Sequence, residues 1–493
     1  MRRKALSMLL TFAMLFSLVL VPAAAADSQG NWYDEAMSVW AGRGVIRGNQ
    51  RGDLNPTGNL TRAELAVMLD RIMGYRVKAG ETTFTDVQPG DWFADPVLKA
   101  AGAGVLKGDG STARPGSTIT RQEATVMLAR VLGLTGETGT AGNFTDEASI
   151  APWAADAVHA MAAKGYIQGS NGLFRPSAPI TRAEVLTILN NIFAGYYDKA
   201  GTYTENVTGS AVIGVGDVVL SDLSITGDLL IAEGVGDGNV TLNGVNLGGR
   251  LLVRGGGEHS IVIKGGSKIN SVVVARQDGK VRVSVEGGAD VSMVYVDDGS
   301  DAVKIEGSVK SVTVAGAESA VEITGSVDTV EVSESAVGSS LTVTKDAKVD
   351  TVTNAAPKAE VTVAGSVGKV EVAKTATDTS LTTQTGAKVE NVTTNAVGTT
   401  VDGAKGTIDK VVAEKNASNT TVTTPGAKVE NNSAEKVTSG TGTIDAGKTG
   451  TVAGTTTGGG SSSGGGGSSN RPTPKWTVTF DVAGGTGAVD GQT

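Results

Sequence analysis

Three arginines occupy the same unusual place in this sequence. Arg62, Arg121 and Arg182 sit inside the tetrads Thr61-Arg62-Ala63-Glu64, Thr120-Arg121-Gln122-Glu123 and Thr181-Arg182-Ala183-Glu184, spaced by 59 and 61 residues. The Thr-x-x-Glu spacing is that of a capping box, in which the threonine hydroxyl accepts from the backbone N–H three residues on and the glutamate reaches back to the threonine N–H. Each arginine therefore falls one residue inside a helix start. A helix N-terminus offers N–H groups with partial positive charge, and a guanidinium beside it adds a planar, bidentate partner for a carboxylate. The helix dipole by itself favours acidic residues there, so a thrice-repeated arginine needs another reason. Capture of a carboxylate-bearing ligand is one; pairing with a carboxylate of the protein itself is the other.

Two further sets keep step with the arginines. Trp32, Trp92 and Trp153 are 60 and 61 residues apart and could either stack on a sugar face or head a helix into the core. Gly48, Gly108 and Gly169 open turn-rich loops that run to Pro56, Pro115 and Pro176. A missing side chain there lets backbone approach a ligand closely, and a plain turn requirement explains it as well. The glutamates Glu64, Glu123 and Glu184, with Thr61, Thr120 and Thr181, read as structural helix caps. No catalytic residue, metal site or cofactor is expected: the chain has no cysteine and two histidines, His159 reads as an ordinary helix residue, and His259 has no second histidine near it.

These positions require a repeated scaffold. After each capping box comes an i, i+3, i+4, i+7, i+8 apolar stripe: Leu65, Met68, Leu69, Ile72, Met73, then Ala124, Met127, Leu128, Val131, Leu132, then Val185, Ile188, Leu189, Ile192, Phe193. Upstream, the stretch from each tryptophan to Gly44, Gly104 or Gly165 reads as a shorter helix with the glycine at its C-terminal end. The unit is helix, glycine-rich loop, capped helix, three times over.

Residues 27 to 200 resemble the S-layer homology repeat. Phe84-Thr-Asp86 and Phe144-Thr-Asp146 open the second and third copies, followed by the tryptophan, the Gly-x-x-x-Gly region and the Thr-Arg-Ala-Glu helix start. The resemblance implies an all-α, pseudo-threefold module of repeats 27–80, 81–140 and 141–200, with grooves that bind secondary cell-wall polysaccharide carrying pyruvylated sugars. Arg62, Arg121 and Arg182 would take the pyruvyl carboxylate, aided by the tryptophans and loop glycines. Reversing the three charges is then expected to release the protein with its fold intact. The first repeat lacks the Phe-x-Asp opening and the second carries Gln122 where the others have alanine, so those two grooves are expected to differ in affinity.

The rest of the chain sets this module outside the cell. Arg2, Arg3 and Lys4, an apolar stretch from Ala5 to Val21 and the run Ala24 to Ala26 read as a signal peptide over 1–26, leaving no membrane span after cleavage. A net charge of −9 argues against nucleic acid as a partner. From 205 to 450 the texture changes to short Val/Ile/Leu alternations. One series, Val240, Ile261, Val283, Val303, Val321, Leu341, Val361, Leu381, Val401 and Val422, recurs every 18 to 22 residues, and a second series follows in phase from Ile269 to Val274 onward. That pattern predicts an all-β parallel β-helix, a solenoid of ten or eleven coils, in preference to a sandwich.

Some β-helices cleave polysaccharide, which needs grouped acids on one face. Here Asp297-Asp298 and Asp237 near Arg254 are the nearest candidates, and both read as solvated turn residues. The solenoid is thus expected to be a stalk or adhesin-like rod, its ligand on a host or neighbouring cell unnamed. A wall-anchored polysaccharide-degrading enzyme and an S-layer lattice subunit are the alternatives. The last coils, after about Ala413, should fray or form a cap. A Gly/Ser/Pro linker spans 451–475, and 476–493 begins like a β repeat domain cut short.

Overall fold

The computed structural model describes residues 30–134, 144–298, 302–403 and 405–453. The expected signal peptide, most of the expected linker and the segment 476–493 lie outside these residues. Six helices build the amino-terminal module: α1 (Asp34–Gly42), α2 (Arg62–Met73), α3 (Ala94–Gly102), α4 (Arg121–Val131), α5 (Pro152–Ala163) and α6 (Arg182–Ile192). All three capping boxes form, each threonine hydroxyl accepting from the glutamate N–H and each glutamate accepting from the threonine N–H. Gly44, Gly104 and Gly165 take φ near +70° just past the shorter helices, where an L side chain would be strained.

Packing does not follow the repeat as read along the chain. Each long helix packs against the short helix of the next copy, α2 on α3 and α4 on α5, and α6 returns to α1 to close the ring. At the centre the residues before the capping threonines form a cyclic set of backbone bonds: Leu60 N–H to Ile180 O at 2.9 Å, Ile119 N–H to Leu60 O at 2.9 Å and Ile180 N–H to Ile119 O at 3.1 Å. All three side chains are fully buried. The pseudo-threefold axis is thus itself hydrogen-bonded, and no copy can leave without breaking two of these bonds.

A parallel β-solenoid of about 12 turns follows over 193–439. At the usual strand spacing it rises roughly 55 Å. Strands alternate buried and exposed residues, as in Lys348–Asn354 and Lys388–Thr394, and their inward Val, Ile, Leu and Ala make one continuous core. The second strand series stacks as the spacing predicts, Ile269 on Val291 and Val309 on Val327. In the first series one step is corrected. Val283 lies beside Ile305, and the neighbour of Val303 is Val281. The reading slipped by two residues, a shift that keeps every side chain on its face and so leaves the alternation unchanged.

The carboxy-terminal end is capped rather than frayed. The chain turns back on itself, Gly442–Ile444 pairing antiparallel with Val437–Ser439 and Lys448–Thr451 with Lys428–Asn431. Buried Asn431 ties the turn, its Nδ2 donating to Glu435 O at 2.8 Å and Ile444 O at 2.9 Å. The open row of backbone groups at that end is thereby covered.

The helical module is docked on the first coils without a linker, α6 running directly into the strand Phe193–Tyr197. Val212, Leu230 and Leu252 of the coils belong to the helical module's core. Gly74, which ends α2 at φ +61°, abuts Gly234 so closely that a Cβ would come within 2.6 Å of its Cα. Arg250 donates to the carbonyls of Leu132 and Gly133, and Arg254 to that of Arg130, so two solenoid arginines satisfy the open carbonyl end of α4.

Within this interface Glu233 is almost wholly enclosed, and burial pushes its carboxyl up to about 7, opposed by Arg254 at 3.7 Å. Asp278 and Asp70 add to the upward push. The folded value lies above the unfolded one, so this group's stabilising contribution is complete at low pH and is lost as pH rises from about 4.5 to about 7. The loss is on the order of 3 kcal/mol. Glu233→Gln is expected to abolish that pH dependence in thermal melts of the whole chain and to raise stability at pH 8. A melting profile unchanged by the substitution at both ends of the range would refute it.

A threefold set of grooves as candidate functional site

Each arginine is placed by two elements at once. Its backbone N–H is used by the neighbouring copy's loop: Arg62 N–H donates to Ser117 O, Arg121 N–H to Ala178 O and Arg182 N–H to Gly58 O. The next N–H, of Ala63, Gln122 or Ala183, goes to Pro115, Pro176 or Pro56 O, and the third goes to the capping threonine. The helix entrances are therefore already satisfied by the protein and hold no free N–H groups for a ligand.

The guanidinium groups are likewise engaged. Arg62 pairs with Glu123 at 3.3 Å, Arg121 with Glu184 at 2.6 Å and Arg182 with Glu64 at 2.7 Å. Each Nε also donates to a loop carbonyl, of Ala113, Phe174 or Leu54. The capping glutamates thus do two jobs, Oε2 closing the box and Oε1 receiving the arginine of the preceding copy. Arg62 is the most enclosed of the three, and burial pulls its guanidinium below the usual arginine range, with Glu123 opposing. Reversing these charges would set carboxylate against carboxylate inside the ring. The expectation that the fold would stay intact is corrected accordingly.

Even so, the arginines border the grooves. Three depressions, of about 360, 260 and 610 Å³, lie around the module, within or near the size range of small-ligand pockets. Each draws on all three copies. The first holds Gly48 and Glu64 of copy one, Trp92 of copy two and Arg182 of copy three. The second holds Gly108 and Glu123, with Trp153 and Arg62. The third holds Gly169 and Glu184, with Trp32 and Arg121. The tryptophans are 65, 67 and 58% exposed for Trp32, Trp92 and Trp153, which removes the core alternative for them. Among the described tryptophans Trp40 is the buried one, with Arg43 stacked 4.8 Å from its ring centroid.

The loop glycines meet a demand of their own backbone. A Cβ on Gly108 would lie 2.2 Å from Thr112 O and 2.6 Å from the Phe84 ring, and one on Gly169 2.5 Å from Leu173 O. Asp86 and Asp146 explain the Phe-x-Asp opening. Asp86 accepts from the N–H groups of Ala113 and Arg114, both at 2.8 Å, and Asp146 from those of Phe174 and Arg175. Among the described residues the first copy shows no such brace. Gln122 does something different again, its Oε1 accepting from Ala151 N–H at the start of α5.

Sequence reasoning passed over several groove residues. Arg71 and Arg130, nine residues beyond Arg62 and Arg121, line the first two grooves, as do Arg47 and Lys107 beside the loop glycines. Arg114 and Arg175 occupy the second and third from the position before proline, at φ +52° and +56°. That left-handed backbone is uncommon in a non-glycine residue. Recurrence at fixed offsets from the capping threonine was the signal that would have found Arg71, Arg130, Arg114 and Arg175, and the place before the loop glycine the one for Arg47 and Lys107.

In the solenoid, Asp237 pairs with Arg276 at 2.7 Å, while Arg254 lies against Glu233. Asp297 falls at the end of the strand Asp290–Asp298. His159 contacts Glu147. Among the described residues no cluster of metal-ligating side chains is found, and no helix is long and apolar enough to cross a membrane.

Comparison with known proteins matches the S-layer homology domain at residues 26–66, 83–125 and 143–186. An amylopullulanase of Thermoanaerobacterium thermosulfurigenes is 33% identical over 180 residues, 36% of this chain and 10% of that protein. The exoglucanase XynX of Acetivibrio thermocellus is 33% identical over 168 residues, 33% of this chain and 16% of its own. A surface-layer 125 kDa protein of Lysinibacillus sphaericus is 30% identical over 189 residues, 36% of this chain and 16% of its own. The chain thus spans between a tenth and a sixth of the length of these curated relatives, and the glycosidases match in the helical region only.

Proposed function

From three S-layer homology domains followed by a parallel β-solenoid, in a secreted protein of the cell surface, we propose that the chain anchors non-covalently to secondary cell-wall polysaccharide through the three grooves and projects the solenoid as a stalk or adhesin. The observation that carries this reading is the threefold recurrence of one exposed tryptophan, one loop glycine and one Arg–Glu pair in each groove. An exposed indole is an apolar platform for a sugar face. The cations around it suit an acidic substituent such as a pyruvyl ketal. The first-proposed grip by Arg62, Arg121 and Arg182 is thereby recast: these residues shape the groove wall, and Arg47, Lys107, Arg71, Arg130, Arg114 and Arg175 supply charge beside them.

The solenoid is assigned no catalysis. Its charged groove near His259 holds Glu306, but that carboxylate is tied to Arg282 and Lys304. Such pairing suits a solvated face.

The test is co-sedimentation of the secreted chain with isolated wall glycan. Replacing Trp32, Trp92 and Trp153 together by alanine is expected to weaken binding by at least about tenfold. The melting temperature should be little changed, since exposed substitutions shift stability by about 0.5 kcal/mol or less. Mild removal of pyruvyl groups from the glycan should weaken binding as well. Undiminished binding after both treatments refutes the groove reading.

A further inference from the structure

The edge where the first coils meet the end of α2 is built around a carboxylate. Glu233 opens the short helical turn Glu233–Val235, and its neighbour Gly234 is the residue that lies against Gly74. That contact is glycine on glycine, so no side chain interlocks there. What holds the edge is the group of polar side chains around Glu233. From the module, Tyr75 and Asp70 face it, and Lys99 of α3 lies 3.8 Å from Asp70. From the solenoid come Arg254 at 3.7 Å and Asp278, which Arg76 of the module holds at 2.6 Å. Asp237 and Arg276, paired at 2.7 Å, complete the rim.

Two members of the group are poorly served. Glu233 Oε2 and the Tyr75 hydroxyl are buried with no hydrogen-bond partner among the described residues. Such burial is costly for a neutral group and far more so for a charged one. Arg254 is shared: Nη1 is the atom 3.7 Å from Glu233, while Nη2 donates to Arg130 O at 3.1 Å. The first distance exceeds that of a hydrogen bond, so a charge on Glu233 is compensated only in part. Elsewhere the joint is continuous, through α6 and through Val212, Leu230 and Leu252 in the module's core.

We propose that this edge is a proton-operated latch: with its proton, Glu233 keeps the turn 233–237 seated on the end of α2, and without it the turn lifts from Tyr75 and water reaches the carboxylate. α6 and the apolar contacts hold the two parts together meanwhile. The solenoid is thereby mounted stiffly in acidic surroundings and loosely in neutral or alkaline ones, whatever the grooves bind.

Burial, with Asp278 and Asp70 adding to it and Arg254 opposing, holds the Glu233 carboxyl at about 7 while the edge is closed; lifting returns it towards the ordinary 4.5. Asp70 is itself pushed up by burial, and burial keeps the Tyr75 phenol neutral throughout. The closed edge binds the proton more tightly, so its hold is complete below about pH 4.5 and weakens as pH rises, levelling off above about 7. Across that interval the opening equilibrium grows roughly 300-fold.

The test is hydrogen exchange of the full secreted chain from about pH 4.5 to 8.5, read by mass spectrometry of peptides and divided by the intrinsic rate at each pH. The reporters are the amides of Gly74, Gly236 and Gly256, bonded to Asp70 O, Glu233 O and Gly236 O. Their opening is expected to rise by about tenfold per pH unit and level off near pH 7, while peptides over 182–192 and 341–354 stay flat. Glu233→Gln should hold the reporters at their low-pH level throughout. Asp278→Asn, which removes an upward push from the rim, should move the levelling point to lower pH. Equal loosening of every peptide would show that ionisation weakens the whole fold and overturns the latch. A pH-independent edge in the parent chain, or a Glu233→Gln variant that still opens with pH, overturns it as well.

Discussion

Glu123→Ala is expected to lower the melting temperature of the helical module by about 10 °C. The carboxylate closes the capping box of α4 and is the partner of Arg62, whose side chain is only 6% exposed. Removing one member of a buried pair leaves the other uncompensated, typically at about 3 to 5 kcal/mol, and a lost cap adds about 1 kcal/mol. Arg62 keeps the carbonyls of Ala113 and Lys107, so about 4 kcal/mol is expected in total. For a module of this size each kcal/mol lowers melting by roughly 2 to 4 °C. Glu64→Ala and Glu184→Ala should do about half as much, because Arg182 and Arg121 reach water more easily at 14% exposure. The double variant Arg62→Met with Glu123→Gln should recover most of the loss. Equal effects of the three glutamates, or no recovery in the double variant, would show that the pairing is not what the ring depends on.

The second large effect belongs to the solenoid. Val303–Val314 and Ala320–Val332 run unbroken through a corner where Gly307, at φ +89°, stacks beside Gly325. A Cβ on Gly325 would fall 1.9 Å from Gly307 O, a clash with backbone that no rotamer change relieves. Gly325→Val is expected to cost about 3 kcal/mol, concentrated between two neighbouring coils. Stacked coils contact only their neighbours, so the damage should uncouple the two halves rather than spread. Calorimetry should show the solenoid transition split in two, with a new protease-sensitive point near 325. A single transition at the original temperature would refute the role given to that corner.

How far the sequence anticipated this structure depends on the range of the interaction concerned. The capping boxes, the stripe from Leu65 to Met73 and the alternation in the solenoid are local, and they formed as read. The partner of Arg182 is Glu64, 118 residues earlier, and no periodicity reveals a contact made by closing a ring. For the same reason the helix entrances looked open: their N–H groups are taken by carbonyls from another copy. The slip between Val283 and Val303 has a different cause, since a two-residue shift leaves inward and outward residues where they were. Exposure of Trp32 was undecidable along the chain, because an indole before an amphipathic helix suits core and platform equally. Docking through Arg250 and Arg254 was missed because the carbonyls they reach lie 118 and 124 residues earlier in the chain.

Because α6 passes straight into the first strand, a pull on anything carried by the solenoid enters the module at its third copy. The backbone bond from Leu60 to Ile180 and the Arg182–Glu64 pair join that copy to the first, so load is handed round the circle instead of peeling one copy at a time. On the proposed anchoring role, a tether built this way would share tension among the three copies and part from its support before it unravels.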